Sequence, residues 1–373
     1  MERFNHWFAS LVAALVLCFA AAPLAWAQFP DDENPPPEFA SRTSQDGVEY
    51  LYWEGEVGSF DGQLFDVGIS RPLNASGPLP TILVLHGWAE WRGNGLETNR
   101  ADARNANSGE LMVPKFQWNR TWFVSRGYAV VAFTARGFRT SGGLIANTPS
   151  TEDDADQSIE DTAEPRSWTH VADRDWEIRD AQHLLSMAVE WGIADPERLA
   201  VTGLSYGGGQ CWLLATAEPW VTPNSGVTLQ LAAAVPIISW TDAHHSLVPN
   251  GRATDRLDQS ASHERPYGVF KLSFVDNMVG FGATGFAKYN TVDPAELHSF
   301  IPGWLAFWNA GEPYDTPQGA ELASVFRNKS AYYADAYFDG LQRGTAKAVP
   351  VFVVQAGQTT CFPPSRLCRC IVA

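Results

Sequence analysis

A continuous apolar run, Leu199–Leu204, leads straight into Gly203-Leu204-Ser205-Tyr206-Gly207-Gly208, and a second apolar segment, Cys211–Ala217, follows at once. A run of this kind suits a parallel strand buried on both faces, and the segment after it reads as a helix. The turn between them is so short that its central residue is pressed into strained backbone. Its neighbours Gly203 and Gly207 must lack side chains if strand and helix are to approach. Such a turn lifts the Ser205 hydroxyl clear of a sheet and sets the backbone N–H of Tyr206 beside it. Ser205 is therefore the expected catalytic nucleophile, with Gly203 and Gly207 as the elbow glycines.

Other segments fit the same plan. Thr81 begins the apolar run Ile82–Leu85, which closes on His86-Gly87-Trp88; further runs are Tyr128–Phe133, Leu231–Ile238 and Val349–Val354. Val48–Trp53 and Leu64–Ile69 are strand-like too, with glycines between them that suit antiparallel pairing. Ala181, Leu184, Leu185, Ala188 and Val189 mark one face of an amphipathic helix, which stops before Asp195-Pro196. Buried strands alternating with helices predict a mostly parallel α/β sheet. The stretch from Trp240 to Lys347 is rich in aromatics and glycine and too long for a plain loop, so a mainly helical inserted cap is expected there.

The expected organisation is a signal peptide over 1–27, a flexible acidic, proline-rich leader over 28–45, and a core over 46–240. A cap over 241–347, a return strand over 348–355 and a tail over 356–373 complete it. Arg3 precedes an apolar stretch from Trp7 to Ala22, then Pro23 and Ala25-Trp26-Ala27. That order predicts a secretory signal cleaved after Ala27 and a secreted or periplasmic protein. A membrane anchor is the competing reading, but the stretch is short and ends in proline. Cys18 follows Leu17, where a lipoprotein signal needs a small residue.

Hydrophobic residues make up 45% of the chain and charged ones 18%, the balance of a packed protein. A formal charge of −16 argues against nucleic acid or an anionic membrane as partner. The 15 tryptophans suggest an apolar site as well as a core. Cys361, Cys368 and Cys370 crowd the C-terminus at spacings poor for a metal site, and neither metal nor cofactor is expected.

The chain resembles the X-prolyl dipeptidyl-peptidase and cocaine-esterase-like group of α/β-hydrolases. The resemblance rests on Gly203-Leu204-Ser205-Tyr206-Gly207-Gly208-Gly209, on Ala135-Arg136-Gly137-Phe138-Arg139-Thr140-Ser141-Gly142-Gly143 and on Trp176-Glu177-Ile178-Arg179-Asp180. It spans about Val48 to Pro350 and implies an α/β-hydrolase fold. It also implies an oxyanion hole built from the Tyr206 N–H and a tyrosine hydroxyl after an early strand. Trp88 stands at that second position, where its indole N–H can donate instead, or its ring can simply wall the pocket. Arg136 is expected to anchor a loop through an ion pair.

In this group the triad acid follows the strand after the cap, in a Gly-Trp-x-Asp pattern, and the histidine comes later. Here Val349–Gln355 is followed by Ala356-Gly357-Gln358-Thr359-Thr360-Cys361-Phe362-Pro363, with no carboxylate and no histidine beyond. Restoring one base after the Gln355 codon makes the first two bases of each observed codon the last two of a new one. With permissible first bases the eight codons then spell Gly-Trp-Thr-Asp-Asp-Leu-Phe-Pro. The expectation is a frame shift, with 356–373 out of frame; sequencing the gene through this codon tests it. In the competing reading the triad is drawn from elsewhere: Asp242 as acid, with His244, His245, His263 or His298 as base. Each is more simply a surface or cap residue, and His86 a turn residue beside the oxyanion region.

The expected activity is cleavage of an ester or amide, in a small-molecule ester or short peptide, through a covalent acyl-enzyme. The alternative is a catalytically impaired remnant or a non-enzymatic binding protein on a hydrolase scaffold.

Overall fold

The structure is a computed structural model that describes residues 34–44, 47–92, 119–138, 168–249, 270–284, 287, 301–311, 314 and 316–355. Three strands lead off: β1 (Ala40–Thr43), β2 (Glu49–Gly58) and β3 (Leu64–Pro72). Then come β4 (Leu79–Leu85), helix α1 (Arg120–Val124), β5 (Ala129–Phe133), α2 (Glu177–Glu190) and β6 (Ala194–Leu204). Helix α3 (Tyr206–Ala215) is followed by a small hairpin, β7 (Trp220–Val221) with β8 (Thr228–Leu229), and by β9 (Ala233–Ile237).

The main sheet has seven strands in the order β1-β2-β3-β5-β4-β6-β9. β1, β2, β3 and β5 pair antiparallel, while β5, β4, β6 and β9 run parallel. Beyond β9, parallel bridges join Ala234 to Val351 and Ile237 to Val354, so 349–355 lies along the β9 edge. This is the α/β-hydrolase fold.

Period-two alternation explains how one sheet holds two cores. Leu83, Leu85, Val131, Phe133 and Val201 face α2 and α3, meeting Leu184, Leu185 and Leu213. On the opposite face Ile82, Val84, Val130 and Ala132 pack with Val124 of α1 and with Tyr50 and Tyr52. Both faces of the central strands are therefore dry, as their unbroken apolar sequence requires.

Between β9 and the 349–355 edge the described residues form α4 (Ala243–Leu247), α5 (Leu272–Thr284), α6 (Ile301–Asn309), α7 (Pro317–Arg327) and α8 (Asp335–Arg343). A polar seam joins this layer to the core. Lys329 donates to Asp173 at 2.5 Å and to the His170 carbonyl at 2.6 Å. Asn328 donates to Asp173 and Asp175, and Arg174 reaches the Ser330 carbonyl.

The leader expected to be flexible over 28–45 is corrected over its described part. Asn34 brackets Gly58, accepting from its N–H and donating to its carbonyl, and Ala40–Thr43 pairs in register with Glu49–Tyr52. The four β1 side chains are all exposed, and the strand is held by its main-chain pairing together with Arg42, which donates to Glu54 at 3.2 Å and lies over the Tyr52 ring, so no apolar alternation announces it.

Candidate active site

Ser205 sits between β6 and α3 with φ 53° and ψ −106°. A non-glycine residue in such a region costs roughly 1–3 kcal/mol and persists only where its surroundings over-determine it. Here the Ser205 N–H donates to the Ile237 carbonyl at 2.8 Å, tying the turn to β9. Its own carbonyl accepts the first helical bond, from Gly209 at 2.9 Å. Strand and helix meet so closely that a Cβ on Gly203 would lie 2.8 Å from the Leu85 carbonyl oxygen, and one on Gly207 would press into that oxygen. Ser205 occupies the N-cap position of α3 yet makes no side-chain capping bond, so the hydroxyl is not consumed by the helix.

Tyr206 opens α3, and its N–H belongs to the first turn, where a helix offers donors without internal acceptors. Its ring is buried. The hydroxyl donates to the Glu177 carboxylate at 3.2 Å and lies 3.4 Å from the Thr169 hydroxyl. Glu177 also accepts the N–H groups of His170 at 2.7 Å and Asp173 at 2.9 Å. Burial pushes the Glu177 carboxyl above its ordinary range, and the Asp173 N–H opposes the shift. Burial likewise pushes the Tyr206 phenol upward, with the Glu177 charge adding to it. The phenol is thus a fixed neutral donor. It anchors the residue that follows Ser205.

His86 is a turn residue. Its Nε2 accepts the Ala135 N–H at 2.9 Å, which leaves the proton on Nδ1, 2.7 Å from the Gly87 carbonyl. Both nitrogens hold the backbone. Trp88 is the wall rather than the donor. Its indole N–H donates to the Met278 carbonyl at 2.7 Å, so it is directed to α5, and the reading of Trp88 as an oxyanion donor is corrected. Its ring meets Phe138 at 5.1 Å and Tyr206 at 5.3 Å, both edge-on.

A cavity of about 110 Å³ lies against Ser205 and Tyr206. Trp88, Trp240, Trp304, Trp308 and Phe326 supply aromatic walls, and α5 adds Phe274, Val275, Met278 and Val279. Ser205 and Ser246 bring hydroxyls to an otherwise apolar lining, and Ser246 donates to the Asp242 carbonyl at 2.8 Å. Among the described lining residues none is a histidine or a carboxylate.

The alternative triad residues are placed elsewhere or undescribed. Asp242 caps α4, its carboxylate accepting the His245 N–H at 2.9 Å. His244 is buried against Phe326, their rings 5.9 Å apart, and does not line the cavity. Burial, aided by His245 and Arg327, pulls its pKa down to about 3. His263, His298 and 356–373 lie outside the described residues, as do 1–33. Among the described residues no group of His, Cys, Asp and Glu could hold a metal ion.

Arg136 is the loop anchor expected from the sequence. It donates twice to Asp180, at 2.7 and 2.6 Å, and once to Asp61 at 3.0 Å. The roles of Glu177, Met278 and Ser246 were not read from the sequence. Glu177 lies within Trp176-Glu177-Ile178-Arg179-Asp180, but nothing in one sequence says which buried hydroxyl a carboxylate meets.

A family model described as X-Pro dipeptidyl-peptidase (S15 family) matches residues 61–262. No curated protein matches the sequence significantly. A solved CocE/NonD family hydrolase from Staphylococcus aureus is 16% identical, with a TM-score of 0.37 over 68% of this chain and 38% of that one. This chain therefore spans about two fifths of that structure's length. Acetyl xylan esterase 1 from Thermoanaerobacterium sp. JW/SL YS485 is 15% identical, with a TM-score of 0.43 over 91% of this chain and 80% of that one.

Proposed function

The chain belongs to the X-Pro dipeptidyl-peptidase S15 family of hydrolases, and from that premise we propose that it is an exported serine hydrolase acting on an ester or amide through an acyl-enzyme. The observation that carries the reading is Ser205 itself. A serine held at positive φ, with an uncommitted hydroxyl at the floor of an apolar cavity, is strain retained at one residue.

In this reading the Ser205 Oγ attacks the substrate carbonyl carbon, and the carbonyl π electrons move onto oxygen. The Tyr206 N–H stabilises that charge; one such donor is worth about 10²–10³ in rate. Collapse breaks the bond to the alcohol or amine, which leaves with the proton given up by Ser205, and water then adds to the acyl carbon, releasing the acid and restoring the Ser205 hydroxyl. The aromatic walls suit an apolar acyl group and offer no charged anchor among the described residues.

The test is a panel of aryl esters and X-Pro-anilides. Turnover of either set, lost in Ser205→Ala, supports the proposal; equal rates in wild type and variant refute it.

A second reading has its own observation. No described residue of the cavity is a histidine or carboxylate, and Ser at its ordinary pKa is a weak nucleophile. That favours an impaired hydrolase or a binding protein, in which loss of acid and base leaves only ~10³–10⁴-fold over water.

A further inference from the structure

Trp88 belongs to the loop after β4, yet its polar atom is spent on the cap. The indole N–H donates to the Met278 carbonyl at 2.7 Å, across 190 residues of sequence. Met278 lies within α5, so its carbonyl already serves the helix ladder, and the indole uses the second lone pair. The ring cannot rotate away without breaking that bond and its edge contacts with Phe138 and Tyr206, at 5.1 and 5.3 Å. Both Trp88 and Met278 line the cavity, so one contact joins the wall beside Ser205 to the wall contributed by α5.

We propose that Trp88 is the specificity-determining residue of this site, a fixed post that sets how long an acyl group the cavity admits and ties α5 to the β4 loop. The proposal rests on reading the cavity as the acyl site. Trp88 is one of four tryptophans that line this cavity of about 110 Å³, and replacing its indole by a methyl group would enlarge a small space. Two consequences separate the parts of the side chain. The ring limits length, whereas the N–H restrains α5. Truncation to alanine removes both, and phenylalanine keeps an aromatic wall while deleting the donor.

The test uses methyl ketones from butanone to decanone as neutral probes whose binding needs no chemistry at Ser205. Affinity is read by tryptophan fluorescence, with hydrogen exchange over 272–284 measured in parallel. Wild type should bind ketones up to a sharp length limit. Trp88→Ala should move that limit outward by about two carbons or more, with roughly fourfold tighter binding per added methylene. Trp88→Phe should leave the limit within one carbon but speed exchange in α5 by about fivefold, the net worth of one hydrogen bond. An unchanged limit in Trp88→Ala overturns the proposal, as does unchanged α5 exchange in Trp88→Phe, and so does a wild-type protein that binds no ketone. Failure of Ser205 chemistry shows instead as absent ester turnover with ketone binding intact, so the two ideas fail separately.

Discussion

Arg136 and Asp180 form a two-pronged ion pair with both side chains out of solvent, at 2.7 and 2.6 Å. Burial opposes the charge on Arg136, and the Asp180 and Asp61 carboxylates more than offset it, so the guanidinium is held protonated. Ser59 adds a donor to Asp180 at 2.6 Å. Asp180 and Glu177 lie on α2, and Arg136 on the loop after β5, so this pair fixes the helix that carries the Tyr206 partner to the strand ends beside Ser205.

Arg136→Met should therefore strand buried carboxylates and destabilise the fold by about 3–5 kcal/mol. Arg136→Lys keeps the charge but not the fork, and should recover only part of that loss. Urea midpoints check both. A midpoint unchanged in Arg136→Met would mean the pair contributes nothing net.

Gly207→Ala is expected to abolish Ser205 reactivity while leaving most of the sheet intact. The added methyl would press into the Leu85 carbonyl, and the His86 carbonyl lies 2.7 Å away, both backbone atoms that cannot swing aside. Circular dichroism should keep its helix and strand bands. Reactivity equal to wild type would show that the elbow tolerates a side chain.

His244 gives a pH dependence with a definite sign. Its pKa falls from 6.5 to about 3 on folding, chiefly through burial. The native state then binds fewer protons than the unfolded chain across that window, so stability is lost as pH drops from 6.5 towards 3. At about 1.36 kcal/mol per unit the full effect is about 5 kcal/mol. His244→Leu should flatten this acid limb relative to wild type in thermal melts taken from pH 7 to pH 3. A limb of the same slope in both proteins would contradict the assignment.

Much of this arrangement was legible from the chain alone. The unbroken runs at Ile82–Leu85, Tyr128–Phe133 and Leu199–Leu204 became β4, β5 and β6 because strands covered on both faces leave no polar alternation. The helix carrying Ala181, Leu184 and Leu185 became α2 because its apolar spacing matches one face. β1 left no apolar pattern because its side chains are all exposed. The Trp88 indole escaped because a donor's partner 190 residues away leaves no local mark. For the same reason Glu177 stood in plain view within its motif while its contact with Tyr206 did not.

The central proposal is that Ser205 is the nucleophile of this site, and reaction with a fluorophosphonate tests it most directly. Intact-protein mass spectrometry of wild type should show one adduct per chain, and Ser205→Ala should show none. No adduct on wild type, or an equal adduct on Ser205→Ala, would contradict the claim.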